Sequence, residues 1–242
     1  MKKFLNLSPL QSKGLDKPIY KNALNLKRDA ILIAEKRKSY SSATSLLILS
    51  TEECVKSILV LLHSEKYKIY QLKDSRKFFY DHVIRHQIAM FIIVGLGILE
   101  SLYKYVKRIP TKISRTGVKW IDNFINGFID FSKAADPFLK TKPDIEYLQD
   151  FNDIKNKGFY LDYRDKLKAP QSEVVYSDYN KTLKITNKIF KFNKLLRILF
   201  HEKLENHIEK EKIEEAKKYI KEFIDDGMKV VSFDELKVKQ VL

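Results

Sequence analysis

The sequence has a single cysteine, Cys54, so no disulfide can close within the chain, and its place in an apolar segment reads as a small buried hydrophobe. Glycine and proline are scarce, seven and six in 242 residues, which argues against a loop-rich or many-stranded fold. The longest apolar run, Ile88 to Leu99, falls short of the ~20 residues that cross a bilayer. It reads as a buried helix or a dimer face, and stable membrane insertion is not expected. The amino terminus, MKKFLNLSPLQSKG, carries two lysines but turns polar too soon for a signal-peptide core, so a cytoplasmic location is expected. There is no glycine-rich phosphate loop, since Gly95 and Gly97 fall inside a helical pattern. Acidic residues are outnumbered, 31 against 46 Lys and Arg, for a net charge of +15. That excess favours polyanionic partners, nucleic acid before an anionic membrane surface, although a lysine-rich coding bias alone would produce it too.

Apolar content of 44% beside 32% charged residues describes a globular chain able to bury a sizeable core. Long segments with a 3.6-residue apolar period dominate and predict an all-α fold. A first helix starts near Asp16-Lys17-Pro18, with Pro18 in the first turn and Ile19, Ala23, Leu26, Ala30 and Ile33 on one face. A second, capped by Ser41 or Ser42, runs to about His63 and makes an antiparallel hairpin with the first. A third is expected from about Asp74 to Val106, with Gly95 and Gly97 allowing a bend or a close contact. A fourth, carrying Trp120, spans about Ser114 to Ala134.

A fifth helix runs from Asp144 to Asn156, where Gly158 reads as its C-cap. Alternating aromatic and polar residues from Phe159 to Pro170 suggest an extended segment or hairpin. A helix capped by Ser177 or Asp178 follows to about Lys203, and a solvated one covers residues 207–226. The boundaries expected are an arm at 1–15, a helical domain at 16–203, and a C-terminal helix and tail at 204–242.

Two adjacent carboxylates, Glu52 and Glu53, interrupt the second helix midway through ATSLLILSTEECVKSILVLL. At 100° per residue Glu53 lies on the stripe of Leu46, Leu49 and Val60, while Glu52 falls among Ile48, Val55 and Leu59, so at least one acid should point inward. An inward carboxylate needs a partner. The densest arginine and histidine cluster, Arg76-KFFYD-His82-VI-Arg85-His86, lies some thirty residues on. Within it His82, Arg85 and His86 share a helix face at i, i+3 and i+4.

The LSTEECVKSILVLL core, the segment Phe79-Tyr80-Asp81-His82 and the later Ile154-Lys-Asn-Lys-Gly-Phe-Tyr-Leu-Asp-Tyr163 together resemble the AbiV-type abortive infection proteins of the HEPN superfamily. The resemblance spans about residues 18–195. It implies a HEPN-like antiparallel helical bundle that dimerises, acts in antiphage defence with a phage-encoded protein as trigger, and in many members cuts RNA without a metal or cofactor. The superfamily signature, Arg then four to six residues then His, is met by Arg76 and His82. An imidazole with an ordinary pKa near ~6.5 can move a proton at a 2′-hydroxyl or a leaving oxygen, and a guanidinium can hold a phosphate.

The catalytic candidates are therefore His82, Arg76, Arg85 and His86, with Glu52 and Glu53 as supports. One difficulty is that six positions along a continuous helix turn through about 600°, so Arg76 shares a face with His82 only if it lies in a preceding turn. Lys181, Lys184, Lys188, Lys191 and Lys194 form a basic stripe that is either a solvated face or an RNA track. Two blander readings stand beside the ribonuclease. The histidines could line a buried or subunit interface in a non-catalytic dimer that binds a phage or host protein or RNA. His82 and His86 also have helical zinc spacing, but they lack a third ligand nearby, so no metal is expected.

Overall fold

The computed structural model describes residues 3–72, 74–106, 142–206 and 209–227. Among the described residues the fold is all-α apart from one short hairpin. Its helices are α1 (Pro9–Ser12), α2 (Asp16–Arg37), α3 (Tyr40–Ser64), α4 (His82–Val106), α5 (Lys142–Gln149), α6 (Phe151–Phe159), α7 (Pro170–Glu173), α8 (Tyr176–Leu199) and α9 (Lys210–Glu222). Strands β1 (Asp162–Arg164) and β2 (Lys166–Lys168) pair antiparallel with Tyr163 opposite Leu167. The fourth expected helix with Trp120, and the last fifteen residues, lie outside the described residues.

Helix α3 is the axis, packed against α2, α8, α6 and α4. It can be enclosed because small hydroxyl residues stand where neighbouring backbones approach, and Ser45, Ser50 and Ser57 find acceptors there. Ser50 Oγ donates to the Ala23 carbonyl of α2 at 2.7 Å, Ser57 Oγ to that of Asp16 at 3.0 Å, and Ser45 Oγ to that of Lys155 on α6 at 2.9 Å. Thr51 meets Thr186 of α8, hydroxyl to hydroxyl, at 2.9 Å. Arg197 of α8 pins the start of α2 through Asp16 at 2.6 Å. Cys54 is fully buried here, with Asn193 Nδ2 at 3.7 Å from its sulfur, and burial pushes its thiol up to about 12.

The α2–α3 hairpin is as the apolar period predicts, closed by Lys38 in the left-handed conformation at φ 53°. The amino-terminal arm is seated on the bundle. Phe4 stacks on Phe79 at 4.9 Å, and His63 Nε2 donates to the Leu7 carbonyl at 3.0 Å. At the other end of the chain α9 docks as well: Tyr67 donates to the Lys217 carbonyl at 3.1 Å, and the Phe223 ring lies where a Cβ on Gly95 would stand.

Several boundaries differ from those expected. Helix α3 starts at Tyr40, so Ser41 and Ser42 lie inside it and do not cap it. The third helix begins at His82, not Asp74: Asp74 takes a left-handed conformation, Ser75–Lys77 make a 3₁₀ turn, and Asp81 Oδ1 accepts from the Ile84 N–H at 3.3 Å as a cap. The segment from 144 divides into α5 and α6 at Asp150. Helix α8 starts at Tyr176, so Asp178 sits one turn inside and accepts from the Val175 N–H at 3.0 Å.

Gly158 is not a C-cap. It lies within α6, where a Cβ would stand 2.2 Å from Ser45 Oγ and 2.7 Å from the Ser41 carbonyl oxygen. Its bare backbone lets α6 press onto α3. Helix propensity alone would make Gly158→Ala stabilising by about 1 kcal/mol. The clash with Ser41 backbone outweighs that, and a net loss of about 1–3 kcal/mol in urea unfolding is expected. Stability equal to or above wild type would contradict this packing.

Candidate functional site

Helix α3 carries Glu52, α4 carries His82, Arg85 and His86, and α6 carries Lys155; the packing just described brings all five together. Glu52 is 2% exposed and uses both oxygens. Oε2 faces His82 Nδ1 at 2.5 Å and accepts from Arg85 Nη2 at 2.9 Å. Oε1 accepts from His86 Nε2 at 2.9 Å and Lys155 Nζ at 3.2 Å. Burial pushes the Glu52 carboxyl up, but the His86 hydrogen bond and the charges on Lys155 and Arg85 prevail and hold it well below the ordinary carboxylate range.

An ionised carboxylate can only accept, and this settles the neighbouring protons. His82 Nδ1, so close to Oε2, must be the protonated nitrogen, because two acceptors would repel at that distance. Arg85 Nη2 lies 2.8 Å from the same Nδ1 and directs its hydrogen to Glu52 instead. The second ring nitrogen of His82 is left for an outside group, and its side chain is 48% exposed. His82 is the one open member of the five, since Glu52, Arg85, His86 and Lys155 are all buried. Burial pushes the imidazole of His86 down further than the carboxylate raises it, which favours the neutral ring, donating through Nε2. Phe151 closes its flank, ring edge to face, at 5.5 Å.

One carboxylate thus faces two permanent cations, and the buried cluster carries net positive charge before His82 is counted. Arg85 Nε and Nη1 have no hydrogen-bond partner. With both oxygens already held by Arg85 and Lys155, the His82, His86 and Glu52 donors are poorly suited to a metal cation. No cluster of three or more His, Cys, Asp or Glu fit for a metal occurs among the described residues.

The other candidates stand apart. Glu53 turns to the α2 side, where Asn22 Nδ2 donates to it at 3.2 Å and Lys56 pairs with it. Arg76 is exposed in the 3₁₀ turn before α4, the place the spacing argument required of it, and makes no contact with Glu52 among the described residues. On α8, Lys181, Lys184, Lys191 and Lys194 are exposed, while Lys188 pairs with Asp144 at 2.5 Å and Lys181 lies over the Tyr147 ring.

Sequence reasoning did not single out Lys155. Its signal was present: Phe151, Lys155 and Gly158 lie at i, i+4 and i+7, so a lysine occupies a buried stripe and requires a buried anion.

Acidification should weaken this cluster in two stages. His86, lowered in the fold from an ordinary 6.5, makes the unfolded chain the better proton acceptor as pH drops below about 6.5. Glu52, lowered from 4.5, adds a second loss below about 4.5. Unfolding free energy measured from pH 7.5 to 4 is expected to fall throughout the acid limb. His86→Gln keeps a donor but cannot titrate, so its curve should be flatter between pH 6.5 and 5; an unchanged slope would rule out this assignment.

No helix among the described residues is long and apolar enough to cross a membrane. The family model HEPN_AbiV, described as AbiV, matches residues 11–191. No curated protein and no solved structure matches the chain. The match takes in every helix that contributes to the Glu52 cluster, and it shows that this chain belongs to the AbiV family of HEPN proteins.

Proposed function

We propose that the chain is an antiphage defence protein acting by abortive infection, and that it does so by cutting RNA without a metal at a cleft between two copies. The observation that carries this reading is the state of His82: Nδ1 anchored on ionised Glu52, the ring half exposed, and the other nitrogen without a hydrogen-bond partner among the described residues. Neutral Nε2 takes the proton of a 2′-hydroxyl. The 2′-oxygen then bonds to the adjacent phosphorus while the bond to the 5′-oxygen breaks, leaving a cyclic phosphate and a 5′-hydroxyl. The leaving oxygen is protonated by the imidazolium of the second copy, and exposed Arg76 meets the phosphate charge. Arg85, His86 and Lys155 work from beneath, as positioning residues that hold Glu52. The stripe from Lys181 to Lys194 offers a path for the rest of the strand.

The burial of four of the five cluster members favours a second reading, in which the ions only specify helix packing and the dimer binds a phage or host component without chemistry. Purified protein incubated with total RNA in EDTA, with and without a phage lysate, separates the two. Cleavage that disappears in His82→Ala establishes the enzyme. RNA left intact under both conditions leaves the binding reading.

A further inference from the structure

The end of the bundle away from Glu52 gathers aromatic rings and unpaired cations that the His82 site does not use. The close approach of Gly158 to Ser41 brings the C-terminus of α6 beside the N-terminus of α3. The α2–α3 turn adjoins the same place, and Tyr40 touches Tyr176 at the start of α8, ring centroids 5.0 Å apart. Three tyrosines there are open to solvent: Tyr160 at 67%, Tyr163 at 71% and Tyr176 at 55%. Lys36 and Arg37 at the end of α2 and Lys38 in the turn are exposed, and none forms an ion pair among the described residues.

Three exposed tyrosines close to unpaired cations complement a ligand with flat apolar faces and repeated negative charge. We infer that this end binds single-stranded RNA, with Tyr160, Tyr163 and Tyr176 stacking on unpaired bases while Lys36, Arg37 and Lys38 meet phosphates. A duplex hides its base faces, so it gains only the charge term. Ser41 and Glu52 are eleven positions apart on α3, roughly 16 Å of helix, so the platform and His82 are separate sites along the same axis. The binding claim holds whether or not His82 cuts.

The test uses the full chain carrying His82→Ala, which cannot consume its probe, and fluorescence anisotropy with a labelled twelve-nucleotide oligouridylate. Single strand is expected to bind at least tenfold tighter than a duplex of equal length. Tyr160→Ala with Tyr163→Ala should weaken it by about tenfold or more, consistent with measured base–aromatic stacking. The matching Phe pair should bind like the parent, and these exposed positions leave the melting temperature unchanged. Equal affinity for single strand and duplex, or no effect of the Ala pair, would overturn the proposal. So would an Ala pair that shifts only the mass by light scattering, which would assign the patch to protein contact. Cleavage in wild type is scored separately, so the two readings can fail independently.

Discussion

Replacing Glu52 with glutamine is expected to destabilise the fold by about 3–5 kcal/mol, the range for removing one partner of a buried ion cluster. The amide is nearly isosteric, so the loss is electrostatic and not a matter of volume. Each carboxylate oxygen faces two donor groups, and wherever the amide nitrogen sits it points N–H at N–H. Arg85 and Lys155 remain buried with no anion between them, and two Arg85 nitrogens already lack partners. For a chain of this length the melting temperature should drop by about 10 °C. Glu53→Gln is the control: it touches Asn22 and Lys56 at the edge of the α2–α3 seam, and its cost should stay within about 1 kcal/mol. Equal melting temperatures for the two variants would show that the cluster does not hold the helices.

The second large effect falls on activity. His82→Ala should lower RNA cleavage by about 10²–10⁴-fold, the span attributed to a positioned proton-transfer group. Stability should change little, because the ring is half exposed and Glu52 keeps its contacts with Arg85, His86 and Lys155. That separation of activity from stability distinguishes His82 from its buried neighbours, whose replacement disturbs both. Cleavage by His82→Ala within threefold of wild type would remove the imidazole from the chemistry.

Much of this arrangement could be read before any coordinates. The apolar period assigns α2, α3 and α8 and marks Glu52 as an acid among Ile48, Val55 and Leu59; the i, i+3, i+4 spacing puts His82, Arg85 and His86 on one face. Periodicity names a face, however, not the element that covers it. Choosing between Glu52 and Glu53 required knowing that α4 and α6, not α2, pack on the Glu52 side. Lys155 is 103 residues from Glu52 in sequence, and nothing local pairs them.

The residues from Asp74 to Asp81 have helical propensity, yet a left-handed aspartate and a capping aspartate end that option, so turn chemistry overrode pattern. Gly158 misled for the opposite reason. A glycine near a helix end usually supplies a left-handed residue, whereas here its missing side chain is what matters, a tertiary fact invisible in a window of local sequence.

The buried sulfur of Cys54 has a consequence for how this protein meets oxidative stress. A thiol with no exposed surface and its ionisation pushed to about 12 offers neither a thiolate to peroxide nor a path for glutathione. The bundle carries its one cysteine as though it were hydrocarbon. Whatever turns this protein on or off, the thiol–disulfide poise of its surroundings has no lever within the chain's only sulfhydryl.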